Sequence, residues 1–110
     1  MNQIVILSIL FSTLSATTIH VPSDYSTIQA GIDASADGDT VLVAQGTYSE
    51  NLILANEIVL ASHAIYDDLD SDWVNNENIN NTIISGILTG SCLVIRDGNI
   101  EPTVIGFTFQ

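Results

Sequence analysis

Hydrophobic positions along the chain change their period twice. Ile4 to Leu14 is a nearly continuous apolar run, followed by the small residues Ser15, Ala16 and Thr17. An apolar stretch of that length before small residues predicts a signal peptide over 1–16, cleaved near Ala16, and places the mature protein outside the cell, secreted or at the cell surface. It is shorter than the ~20 apolar residues that a membrane span needs. Thr17-Thr-Ile-His-Val is short and β-branched and predicts an edge strand that Pro22 ends. The period then becomes helical: Ile28 and Ile32 stand four apart, flanked by Ala30 and Ala34. Ser26-Thr-Ile-Gln29 has the form of a capping box, in which the Ser26 hydroxyl takes the Gln29 N–H and the Gln29 side chain reaches back. Gly38 is the expected stop. Gly31 costs about 1 kcal/mol relative to Ala inside a helix, so its use predicts close approach of another backbone.

From Thr40 the pattern is one of short β-rich runs broken by Gly, Asn and Asp: Thr40 to Ala44, Asn51 to Leu54, Ile58 to Ala61, Thr82 to Ser85, Cys92 to Ile95 and Thr103 to Phe109. Ile58-Val-Leu-Ala-Ser, Thr82-Ile-Ile-Ser-Gly and Thr103-Val-Ile-Gly-Phe share a shape, an apolar segment ending in a small residue. They begin roughly twenty to twenty-five residues apart, the spacing of solenoid coils. The alternation in Phe107-Thr-Phe109 turns both rings to one face. A hairpin protein or Greek-key sandwich is the structural alternative, but Asp37-Gly38 and Asp97-Gly98 do not lie between closely spaced matched strands.

Asp24-Tyr-Ser-Thr-Ile-Gln-Ala-Gly-Ile-Asp-Ala-Ser, then Gly38-Asp-Thr-Val-Leu-Val-Ala, then Gly46-Thr-Tyr-Ser-Glu-Asn resembles the opening of pectin-lyase-like proteins, including pectin methylesterases. The resemblance implies an all-β fold: a right-handed parallel β-helix over 17–110 with a short N-terminal capping α-helix. On that view the Ile28/Ile32 helix covers the first coil. Phe107 and Phe109 would then belong to an uncovered last coil, so the chain is expected to be the N-terminal part of a longer parent whose remaining coils follow. In pectin methylesterases the catalytic aspartates and arginine lie on later coils, and no matching motif occurs here, so no catalytic residue is assigned.

Charge narrows the partners. Thirteen acidic residues face one basic residue, Arg96, for a formal net charge of −12. Nucleic acid is excluded, because binding phosphates needs clustered Lys and Arg, and anionic membranes repel such a surface. Cys92, the one cysteine, permits no internal disulfide and reads as a small strand residue. His20 and His63 have no metal-ligand spacing to a second His or Cys.

Asp67-Asp-Leu-Asp-Ser-Asp-Trp-Val-Asn-Asn-Glu interrupts the repeat and predicts a projecting loop. Asp68, Asp70 and Asp72 alternate as in a calcium loop, although Trp73 replaces the turn glycine of an EF-hand and Ile79 its twelfth-position Glu. Calcium is therefore one reading and a solvated acidic loop the other. Trp73 could stack on a sugar ring, but burial would more simply make it a pin between loop and scaffold. Arg96, beside Asp97, is read as a local ion pair or loop residue.

The functional expectation is a scaffold for carbohydrate-related or surface binding, with polysaccharide as partner, no cofactor beyond that calcium and no activity in this segment alone. Two alternatives stand: a carbohydrate-active enzyme of pectin esterase or polysaccharide lyase type with its catalytic residues beyond residue 110, and a non-enzymatic adhesin or structural surface protein.

Overall fold

A computed structural model describes residues 15–110. The expected signal peptide therefore lies outside the described residues, apart from exposed Ser15 and Ala16. Nine strands occur in the order β1 (Thr18–Val21), β2 (Thr40–Val43), β3 (Gly46–Ser49), β4 (Leu52–Leu54), β5 (Val59–Ser62), β6 (Thr82–Ser85), β7 (Leu93–Ile95), β8 (Thr103–Ile105) and β9 (Thr108–Phe109). Between them lie helix α1 (Ile28–Ala34), a 3-10 helix (His63–Tyr66), α2 (Leu69–Asp72) and α3 (Glu77–Asn81). Every strand pairing is parallel, in three sheets ordered β1-β2-β5-β8, β3-β6-β9 and β4-β7.

Register explains the core. Ile19, Val41, Leu60 and Val104 stand side by side across the first sheet, and Leu52 stands beside Leu93 in the third. With Ile28, Ile32, Leu54, Ile58 and Ile84 they form one hydrophobic cluster. Because strand side chains alternate faces, a one-residue slip would turn each row out of this cluster, so packing pins the register.

This architecture corrects the all-β β-helix expected from the sequence. The described residues form an α/β unit of three parallel sheets and three α-helices. Much of the difference lies in 63–81, where the stretch around the loop expected over 67–77 folds into a 3-10 helix and two short α-helices. Elements of four or five residues show no apolar period and are set by caps instead: Asp68 Oδ1 accepts the Asp70 N–H at 3.1 Å, and Asn76 Oδ1 accepts that of Ile79 at 3.0 Å.

Helix α1 departs from expectation in three ways. Its N-cap is Thr27, not Ser26, with Oγ1 accepting the Ala30 N–H at 3.1 Å. Its next two N–H groups, Ile28 and Gln29, donate to the Glu50 carboxylate at 2.9 and 3.0 Å. It ends at Ala34, before Gly38, where the Ser35 hydroxyl donates to the Ile32 carbonyl at 2.6 Å. Gly31 is closely approached, but by side chains: a Cβ there would lie 3.0 Å from Val21 Cγ2 and 3.3 Å from Val41 Cγ1.

Gln29 does not reach back into its own helix. Its Oε1 accepts the Ile53 N–H at 2.8 Å and its Nε2 donates to the Ile53 carbonyl at 3.1 Å. The side-chain amide thus supplies the two hydrogen bonds of a missing strand at the edge of β4.

Thr82 is fully buried at the start of β6, and its Oγ1 is without a hydrogen-bond partner among the described residues. A desolvated hydroxyl left unpaired costs about 1–3 kcal/mol. Thr82→Val is expected to raise the unfolding free energy by about 1 kcal/mol, read as a higher urea midpoint. A lower midpoint would mean that the hydroxyl is bonded in solution.

Asp39 ties the segment before β1 to the turn before β2. Its Oδ1 accepts the Thr17 N–H and its Oδ2 the Ala36 N–H, both at 2.9 Å. The bond from Ala36, then that from Thr17, holds its pKa below the usual 3.8 against a smaller opposing effect of burial. Asp67 is lowered in the same direction, first by the Asn78 amide and then by that of Asn76. A carboxyl whose folded pKa is depressed takes up protons more readily when unfolded, so stability rises with pH across this range. These contributions are complete above about pH 5 and are lost as pH falls past 3.8 through the folded values. The urea midpoint should accordingly be flat from pH 7 to about 5 and then decline, with a shallower decline in Asp39→Asn. An unchanged acid slope in that variant would remove Asp39 from the account.

Candidate functional site

Two features of the surface combine shape with available chemistry. The first is segment 63–81, between β5 and β6. Asp67 Oδ2 accepts from Asn76 Nδ2 at 3.0 Å and Asn78 Nδ2 at 2.8 Å, and Asn78 Oδ1 accepts from Gln45 Nε2 at 3.0 Å. Asn75 Nδ2 donates to both oxygens of Asp72, and Asn80 Nδ2 donates to the Val74 carbonyl. The segment is anchored at its far end too, where the Thr108 hydroxyl donates to the Ile79 carbonyl at 2.8 Å. Amide side chains, which hold donor and acceptor at once, suit such a web.

What this web presents is aromatic. Tyr66 is 73 % exposed and Trp73 61 %, with Val74 exposed beside it. Trp73 therefore does not pin the loop to the scaffold, which corrects the simpler reading of its sequence position. The asparagine and aspartate side chains tie the segment to itself, and the Asn78–Gln45 and Ile79–Thr108 bonds tie it to the rest of the fold. His63, exposed at the start of the 3-10 helix, meets the Tyr66 ring edge to face, with centroids 6.3 Å apart.

Asp68, Asp70 and Asp72 belong to this segment. Asp68 caps α2 and Asp72 accepts from Asn75, while Asp70 lies on the helix between them. Side chains two apart on a helix point to different sides. Among the described residues no group of three or more His, Cys, Asp and Glu is placed to hold a metal ion. His20 sits exposed on β1, where its backbone N–H donates to Asp24 at 2.8 Å. Cys92 is a free, half-buried thiol whose Sγ lies 3.4 Å from the Gln110 carbonyl oxygen.

The second feature is an open groove of about 480 Å³ between α1 and the β4 side of the third sheet. It is lined by Gln29, Ile32 and Asp33 from α1, by Asn51, Ile53, Ala55 and Asn56 in and around β4, and by Arg96. Arg96 follows β7, and its backbone N–H donates to the Leu54 carbonyl at 2.9 Å, which fixes where its side chain starts. The protein's one basic residue thus faces a cleft, which its neighbour Asp97 in the sequence did not suggest.

Much of the groove's polarity is already engaged. Gln29 is held by Ile53 and by Asp33 Oδ1 at 2.9 Å. Asn51 exchanges hydrogen bonds with the Ile87 backbone, accepting at 2.6 Å and donating at 3.3 Å. Asn56 Nδ2 donates to the Ser35 carbonyl at 3.0 Å. Among the described residues these bonds leave the Arg96 guanidinium, the second Asp33 oxygen and the Asn56 side-chain Oδ1 to address a ligand, over the apolar surfaces of Ile53 and Ala55.

No protein-family profile matches the chain, and neither a curated protein nor a solved structure matches it. The resemblance to pectin-lyase-like proteins gains no support from these comparisons. Among the described residues no helix is long and apolar enough to cross a membrane.

Proposed function

We propose that the chain is a non-catalytic carbohydrate-binding scaffold working outside the cell, with its contact surface on segment 63–81. One observation carries the reading: Trp73 and Tyr66 are exposed on a segment that its own side chains immobilise. Large aromatic surface facing water is unfavourable unless something covers it, and fixing it in advance lowers the entropy lost on binding. A saccharide ring has an apolar face for the indole and hydroxyls for the surrounding carboxylates and amides. The acidic character of the segment favours a neutral polymer over a polyanion, since like charges repel. The leader-like run from Ile4 to Leu14 supports the extracellular placement.

The chain has a single tryptophan, so its fluorescence reports on this surface directly. Titration with a panel of neutral soluble polysaccharides should blue-shift Trp73 emission with at least one of them. Trp73→Ala should weaken that binding at least tenfold, about 1.4 kcal/mol, measured by affinity electrophoresis. Emission unchanged across the panel would overturn the reading, as would binding that survives the substitution intact.

A further inference from the structure

We infer that the groove between α1 and β4 is a second, separate binding site, for a small zwitterion of amino-acid or dipeptide size, with the ligand carboxylate on Arg96 and its ammonium on Asp33. Asp33 stands in the last turn of α1 and Arg96 follows β7, so one cationic and one anionic side chain reach the groove from different elements. Their scaffolding leaves them available: Arg96 is placed through its backbone, and Asp33 gives only Oδ1 to Gln29. The Asn56 side-chain Oδ1 is a second acceptor for an ammonium, and Ile32, Ile53 and Ala55 provide apolar surface for an aliphatic side chain.

Net charge selects among ligands. A protein at −12 repels a simple anion before it reaches the lone arginine and attracts simple cations without regard to place. A ligand carrying both charges is neutral at a distance and gains from both partners once seated. A guanidinium holds a carboxylate in two-point geometry, which fixes the ligand's direction in the groove. The volume of about 480 Å³ accommodates a dipeptide and gives no enclosure for a long chain.

The test is a nitrogen-15 NMR titration of the full chain with glycyl-leucine, its N-acetyl derivative and its C-terminal amide. Saturable shifts are expected at groove residues, with Arg96→Gln and Asp33→Asn each weakening glycyl-leucine at least tenfold. Both substitutions conserve shape, and Asn at 33 keeps the oxygen that Gln29 uses, so the dispersed spectrum should persist. N-acetylation should abolish the dependence on Asp33, and C-terminal amidation the dependence on Arg96. The assignment is overturned by no saturable shift at millimolar dipeptide, or by acetylated or amidated ligand binding as tightly as the free dipeptide. Because the groove and segment 63–81 share no residue, Trp73→Ala should not change this titration.

Discussion

Gly106→Ala is expected to lower the unfolding free energy by about 3 kcal/mol, a large fraction of the ~5–15 kcal/mol that keeps a domain folded. Gly106 follows β8 with φ +86°, a conformation that costs an L-residue about 1–2 kcal/mol. The new methyl would also fall on Ser62 Oγ and lie 2.9 Å from Ala64 Cβ. Neither neighbour can yield easily. Ser62 and Ala64 are fully buried, and Ser62 Oγ is held by the Ala64 N–H at 3.1 Å. Overpacking of this kind costs about 1–3 kcal/mol on its own. Urea unfolding followed by circular dichroism measures the loss, and a value below about 1 kcal/mol would show that the ends of β5 and β8 move apart freely.

Glu50→Ala should cost nearly as much, about 2–3 kcal/mol, although Glu50 lies outside any helix. It orphans the Ile28 and Gln29 N–H groups, both held by its carboxylate at 3.0 Å or less. It also removes negative charge from the positive end of α1. Glu50→Gln keeps one oxygen for one donor and should lose about half as much. Equal losses in the two variants would attribute the effect to charge rather than to hydrogen bonding. If Glu50→Ala cost no more than a surface substitution, the helix would be held by its apolar face alone.

Glu50 also shows where the sequence stopped being readable. The apolar stripe of Ile28 and Ile32 located α1, and the β-rich runs located most strands, because burial on one face imposes a period that local sequence displays. The helix cap was misplaced because Ser26 and Gln29 have the right spacing for a local box, while the group that takes the Ile28 and Gln29 N–H groups stands 22 and 21 residues away. No local pattern encodes a partner at that distance. Strand β3 was missed for a related reason: Gly46-Thr-Tyr-Ser is half polar, and its place is set by pairing with β6. The short helices of 63–81 depend on asparagine and aspartate caps, which look like ordinary loop composition. The all-β solenoid rests on the resemblance of the chain's opening and on the spacing of the β-rich runs, neither of which encodes these helices.

The candidate sites were legible to different extents. Trp73 was singled out from its position in the acidic segment, but its exposure depends on Asp67 meeting Asn76 and Asn78, a closure visible only in three dimensions. Asp68, Asp70 and Asp72 were singled out by a spacing suited to calcium, and two of them serve local caps and turns. Arg96 gained its place in the groove through the register of β7 against β4. Asp33, its counterpart there, carried no signal beyond being a polar position on a short helix.

The bridges from α1 to Glu50 and Ile53 span 21 to 24 residues, and they make the helix and the sheet edge depend on each other. A seven-residue helix is too short to persist alone in water, and here its N-terminal donors and the Gln29 amide have their partners on the segment that carries Glu50 and β4. Strand β4 in turn has the Gln29 amide as its edge partner. Helix and sheet edge thus complete one another, and the groove between them exists only where both are in place.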